Sequence, residues 1–432
     1  MGGEFVCRFT DCRLTGSMRI ELINTGSELL LGRILNAHQQ WICRRMADHG
    51  YPIQRQVAVL DTGAAIGDAV SEAMARSRLV LVTGGLGPTS DDVTRQFIAA
   101  LLGKKLIEDA TVRSRIEGFF TTRGRSLPLN ALVQALVPEG GTVLQNEHGT
   151  APGLALDTPG EGLLILLPGP PRELHPMFDQ QVLPLIQARF PLEENFVCRT
   201  LRTSGLGESF VEERIANAMQ PFVDAGMELG YCARNGEVDV RLAARGSSAP
   251  ALVASAEGVV RAELRELIYG VDDELLETVV VRELTAQKRT LAVAESCTGG
   301  FVSHRLTNVP GASAVLLAGL VTYSNEAKEA LLGVRRGTLE THGAVSEAVV
   351  REMAEGARSR MQADYALALT GIAGPGGGTP GKPVGTVWLA LASASGTRVQ
   401  HRVNAWDRET FKYVSSQQAL DLLRRALAGA EA

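Results

Sequence analysis

No apolar stretch in this 432-residue chain reaches the roughly 20 residues needed to cross a bilayer, so a membrane-spanning helix is excluded. The opening MGGEFVCRFTDCRLTGS also lacks the apolar segment of a signal peptide. It predicts a disordered leader over residues 1–17, or upstream sequence ahead of a start at Met18, where the strand-like MRIELINT begins. The six cysteines form no C-x-x-C pair and no Cys/His group with zinc spacing. Scattered free thiols fit a reducing cytoplasm, which is the expected location. Positive charge is not in excess: 43 Lys and Arg stand against 48 Asp and Glu, for a net charge of -5. That balance argues against broad binding of nucleic acid or anionic membrane. No internal repeat stands out, and the order G-x-x-x-x-G-K-[ST] does not occur, so ATP is not implied.

What is there reads as an α/β protein of more than one domain, because the chain is too long for a single core. MRIELINT and RQVAVL read as strands, and the spacing from Leu30 to His49 predicts a helix ending before Gly50. RLVLVTGG and GLLILLPGPP read as buried parallel strands. The alternation predicts a doubly wound domain over 18–171. A small α+β unit is predicted over 172–271, and a second α/β domain over 272–432.

In the last third, strand TLAVAE runs into Ser296-Cys297-Thr298-Gly299-Gly300 and then a helix. Ligands of open α/β sheets sit at such strand ends, where free N–H groups bind phosphate or an oxyanion. By itself SCTGG fits either a nucleophile turn or a tight turn capping a helix. VTYSNEAKEALLGV places Tyr323 and Lys328 directly after a strand. A serine needs a base, and a desolvated lysine can serve; no histidine is placed to do so. Taken singly, Tyr323 and Lys328 also fit a packed or solvated side chain. TGIAGPGGGTPGKPVGT, with Thr370, Gly371 and Gly374, allows close approach of backbone to a ligand and equally fits a surface loop.

Together these segments resemble the C-terminal domain of the CinA family, the nicotinamide mononucleotide deamidases. The matching motifs are AESCTGG, TYSNEAK, HGAVSE, TGIAGPGGG and KPVGTVW, in the family's order across residues 290–390. The resemblance implies hydrolysis of the carboxamide of nicotinamide mononucleotide to nicotinate mononucleotide and ammonia, without a metal. It implies Ser296 as nucleophile, with Lys328 and Tyr323 handling protons. Thr298, Gly299, Gly300, Ser313, Thr370, Gly371 and Gly374 would contact substrate, and Arg408 would pair with its phosphate. Cys297 adjoins the serine and is a chemical rival, since thiolates are the better nucleophiles.

In the first domain TGGLGPTSDDVTR carries Gly84, Gly85, Gly87 and Thr89, followed by Asp91 and Asp92 at a helix start. Acidic residues there either satisfy the helix end or hold a divalent metal such as magnesium. Glu28, in TGSELLLG, and the loops NEHGTAPG and LPGPPREL accompany them. These resemble the molybdopterin-binding fold of MoaB- and MoeA-type proteins, and most closely the N-terminal domain of the CinA family. The resemblance implies metal-dependent cleavage of ADP-ribose, with Glu28, Asp91 and Asp92 at the ion. Ser27 stands where many relatives carry aspartate, in GDELL. The middle region resembles a KH-like domain, but Gly205-Leu206-Gly207 lacks GXXG spacing. With eight Arg and ten Asp or Glu over 195–270, it reads as a spacer or dimerisation element rather than an RNA binder. A homodimer is expected. The alternatives are a non-catalytic competence or DNA-damage accessory factor, as the family's name suggests, and a molybdopterin-binding protein.

Overall fold

The computed structural model describes residues 7–9 and 18–429. The expected leader therefore lies outside the described residues, except for Cys7–Phe9. That segment is a strand where disorder is predicted, and it pairs antiparallel with Glu228–Arg234. The chain divides into two compact units. One holds residues 18–198 with 245–247; the other holds 199–244 with 248–429.

The first unit is built on a six-stranded sheet in the order Arg55–Val59, Ile20–Thr25, Leu79–Thr83, Gly162–Leu167, Gly153–Thr158, Thr142–Leu144. The first four strands are parallel and the last two antiparallel. Ile20–Thr25, Leu79–Thr83 and Gly162–Leu167 are buried along their whole length, which is why they read as unbroken apolar runs. The helix predicted over Leu30–His49 is shorter. Gly32 takes a left-handed φ of 65°, and the Asn36 side chain accepts from the Gln39 N–H, so the helix starts at Ala37 and runs to Asp48. The residues between carry Leu31, Ile34 and Leu35 on the surface. The boundary predicted after 171 also moves. Leu174, Met177, Phe178, Val182, Leu183 and Ile186 pack in one cluster with Ile20, Leu22, Leu79 and Ile165, so the helical segment 171–189 belongs to the first sheet.

The second unit contains two sheets. In one, Cys7–Phe9, Glu228–Arg234, Glu237–Arg245, Phe196–Ser204 and Ile268–Val271 lie in that order, with helices Glu208–Asp224 and Ala249–Leu264. The other runs Leu316–Val321, Leu291–Glu295, Tyr365–Gly371, Thr386–Ser393, Gly396–Val403. Its first three strands are parallel. Here the alternation of large and small residues decides the packing. Leu291, Val293, Leu367, Leu369, Leu389 and Leu391 face one core with helices Leu276–Ala286 and Arg408–Leu427. The intervening Ala292, Ala294, Ala366, Ala368, Ala390 and Ala392 face the other, which lets helix Glu347–Met361 lie close on the sheet.

Candidate functional site

Leu291–Glu295 is an inner strand, and its end carries the candidate nucleophile. Left-handed Gly299 and Gly300, with φ of 63° and 96°, turn the chain into helix Phe301–Thr307. The Ser296 N–H donates to the Leu369 carbonyl at 3.0 Å, tying the turn to the neighbouring strand. Glu295, fully buried, holds the other side of the turn. Its Oε2 accepts from the N–H groups of Gly300 and Val302, and its Oε1 from the N–H and hydroxyl of Ser303. Glu295 is absent from the candidates named above; its signal in the sequence is a carboxylate five to eight positions ahead of the first free helix amides. Because both oxygens are in use, Glu295→Gln sets an NH2 donor against donors. It is expected to destabilise the protein by about 2 kcal/mol. Urea unfolding of the two proteins checks this, and equal midpoints with equal slopes would refute it.

Lys328 reaches Ser296 from the segment after Leu316–Val321. Its Nζ lies 3.2 Å from the Ser296 Oγ, 2.9 Å from the Thr322 carbonyl and 3.3 Å from the Tyr323 carbonyl. Lys328 is 1% exposed and Ser296 9%. Burial pulls the Lys328 ammonium below the usual lysine range. The three hydrogen-bonding partners are all uncharged oxygens. Cys297 points the other way, into the core with Val293, Leu369 and Phe411, and burial pushes its thiol up to about 12. At neutral pH it is an inert thiol.

The remaining predicted residues separate into those the fold gathers and one it does not. Tyr323 contributes its carbonyl to Lys328, while its exposed side chain takes a hydrogen bond at 3.0 Å from Arg408 Nη2. Arg408 Nη1 donates to the Gly374 carbonyl at 2.8 Å, so this arginine joins Tyr323 to the glycine-rich loop. The Thr370 hydroxyl is buried and donates to the Ala344 carbonyl. At Gly371 a side chain would meet the Thr386 carbonyl at 2.6 Å and the Cys297 Sγ at 3.2 Å, so only glycine fits. Thr298 is fully buried with an unpartnered hydroxyl. Ser313 is not brought to this place. It lies in the turn Ala312–Ala314 before Leu316, which pairs with Leu291, whereas Ser296 follows the other end of that strand. Five strand residues alone separate the two ends by roughly 13 Å.

In the first unit, a cavity of about 670 Å3 opens at the carboxyl ends of Ile20–Thr25, Leu79–Thr83 and Gly162–Leu167. Of the residues named from the sequence, Gly84, Gly85, Gly87, Glu28, Asp91 and Asp92 line it and Thr89 does not. Thr89 instead donates its N–H and hydroxyl to Asp92 Oδ2. A side chain at Gly84 would meet the Thr25 carbonyl at 2.7 Å, and one at Gly87 would meet Asp92 Oδ2 at 2.3 Å. Asp61, which the sequence reading did not single out, also lines the cavity and accepts from the Ser27 N–H at 2.8 Å. Among the described residues, no three or more acidic, histidine or cysteine side chains gather closely enough to hold a metal ion. Glu28, Asp91 and Asp92 therefore share a cavity without forming a chelating trio. Magnesium usually takes one or two carboxylates together with phosphate oxygens and water, and the residues present fit that mode.

Family models match all three regions: the "Probable molybdopterin binding domain" over 21–188, the "Damage-inducible protein CinA KH domain" over 198–270, and the "CinA C-terminal domain" over 273–427. The chain is 43% identical over 413 residues to a "Putative competence-damage inducible protein" of Moorella thermoacetica, covering 95% of this chain and 99% of that protein. It is 44% identical over 407 residues to a "CinA-like protein" of Akkermansia muciniphila, covering 93% and 96%. A solved competence/damage inducible protein from Agrobacterium tumefaciens is 42% identical, covering 35% of this chain and 93% of its own, with a TM-score of 0.34.

Proposed function

The chain belongs to the CinA family, and from that premise we propose that it is a hydrolase with two sites: a C-terminal amidase acting on nicotinamide mononucleotide, and an N-terminal ADP-ribose pyrophosphatase. The observation that carries the first is the buried amine 3.2 Å from the Ser296 hydroxyl. A neutral amine has two N–H groups and one lone pair. The carbonyls of Thr322 and Tyr323 can only accept, so they take the two N–H groups, and the lone pair is left for the serine O–H. Lys328 then removes the Ser296 proton as the oxygen attacks the carboxamide carbon. The C–N bond breaks, the lysine returns the proton to the leaving nitrogen, and ammonia departs. Water, deprotonated by the same amine, cleaves the acyl ester to the carboxylate and restores the serine. Arg408 would release Tyr323 and Gly374 to hold the substrate phosphate. Incubation with nicotinamide mononucleotide should give equal amounts of ammonia and nicotinate mononucleotide; no turnover by folded protein would refute the reading.

For the N-terminal cavity the reaction is water attack on the diphosphate of ADP-ribose, giving AMP and ribose 5-phosphate. A divalent ion bound there would neutralise phosphate charge. Glu28, Asp91 and Asp92 would hold it through one or two carboxylates, with Asp61 beside them. Removing divalent ions with EDTA is expected to reduce AMP release to background, and Asp91→Asn to lower it at least tenfold, on the order of a lost charge-assisted contact. Both should leave ammonia release from nicotinamide mononucleotide unchanged. AMP release unaffected by EDTA would sink the metal requirement.

A further inference from the structure

We infer that Arg95 is a positioning residue that sets the Gly84–Pro88 loop in an anion-binding form, so that the cavity takes phosphoryl oxygens on backbone N–H groups at Gly85, Leu86 and Gly87. This rests on the reading of that cavity as a ligand site. Arg95 lies in the first turn of helix Thr94–Leu101 and is completely buried, yet it makes no ion pair among the described residues. Its Nη2 donates to the Leu86 carbonyl at 2.6 Å and its Nη1 to the Val133 carbonyl at 3.3 Å; its Nε has no partner. Gln134, which lines the cavity, adds a second donor to the Leu86 carbonyl at 3.5 Å and keeps an unpartnered Oε1. Burial pulls the guanidinium down to about 10, so it stays protonated at neutral pH.

Asp92 acts on the guanidinium electrostatically without pairing with it directly, and a buried cation that lacks a direct ion pair is unfavourable. Stereochemistry supplies a reason for its position. The Leu86 C=O and the Gly87 N–H belong to the same planar trans peptide and point to opposite sides. Holding the carbonyl down against Arg95 turns the Gly87 N–H up toward the cavity. Among the described residues the N–H groups of Gly85, Leu86 and Gly87 have no acceptor, and all three residues line the cavity. Free amides with a buried positive charge behind them form a seat for an anion. The carboxylates of Glu28, Asp61, Asp91 and Asp92 in the same cavity would repel a bare anion. The ligand class is therefore a phosphate or diphosphate that brings a divalent cation.

The test uses the full chain and magnesium pyrophosphate as the probe, followed by calorimetry. Arg95→Met keeps the volume and removes the charge; it is expected to weaken binding at least tenfold. Arg95→Lys, which keeps the charge and one carbonyl contact, should recover most of that loss, as a purely space-filling role would not. Binding by Arg95→Met within twofold of wild type overturns the inference. Should the methionine variant not fold, hydrogen exchange in the wild type decides: magnesium pyrophosphate must slow exchange at Gly85, Leu86 and Gly87, and unchanged exchange overturns the inference. Arg95-dependent binding in a protein that fails to cleave ADP-ribose supports the inference and refutes the pyrophosphatase reading.

Discussion

Ser296→Ala is expected to lower nicotinamide mononucleotide deamidation by about 10³-fold or more, while Cys297→Ala stays within a few-fold of wild type. The two residues are adjacent in sequence and opposite in environment. Ser296 faces the Lys328 amine, whereas Cys297 packs beneath the turn against Gly371 with its thiol held protonated by burial. Loss of the serine removes the covalent route altogether, because among the described residues the amine has no other hydroxyl within hydrogen-bonding distance. Loss of the cysteine removes one sulfur from a packed core, at a stability cost of about 1 kcal/mol. Ammonia release by the two purified variants, with melting curves to show both folded, separates these effects. Activity lost with the cysteine and kept with the serine replaced would shift the nucleophile by one residue. Equal activity in all three proteins would remove covalent catalysis at this turn.

What could be read from the sequence was what depends on neighbouring residues. Fully buried strands such as Leu79–Thr83 and Gly162–Leu167 announce themselves as apolar runs, and SCTGG, TYSNEAK and TGIAGPGGG each sit at a strand end. What failed depends on distant contacts. The segment 171–189 has ordinary helical spacing, and nothing local says that it packs on Ile20, Leu22 and Leu79 instead of the middle sheet. Ser313 and Ser296 are separated by one helix and a turn in the chain, yet strand pairing sends them to opposite ends of the sheet. Glu295 was passed over because its role needs the third dimension: a strand residue whose carboxylate bends over to the next helix start. Arg95 is only the last residue of TGGLGPTSDDVTR in the sequence, and its burial in the fold is what distinguishes it. The same limit explains Glu28, Asp91 and Asp92, which the motif groups as metal ligands but which the fold spreads around a cavity.

Lys328→Met is expected to abolish deamidation as completely as Ser296→Ala, and Lys328→Arg to do no better. Arginine keeps a positive charge and hydrogen-bonding capacity, but its guanidinium does not give up a proton near neutrality, so it cannot accept one from serine. A role confined to holding the Thr322 and Tyr323 carbonyls would leave the arginine variant partly active. The pH profile separates the cases further. Only the neutral amine carries the lone pair that faces Ser296, so kcat/KM should rise with pH through the lowered native value and then level off. The same shift makes a statement about stability. Because burial lowers this group's native value below its unfolded one, the folded protein binds fewer protons at this site across the interval between them. This contribution to stability is full above the unfolded value, about 10.4, and is lost as pH falls through the native one. Subtracting the Lys328→Met stability profile from that of the wild type should therefore leave a component that rises with pH across that window. A flat difference, or an acid limb in kcat/KM that survives in a residually active Lys328→Arg, would assign the proton transfer to another group.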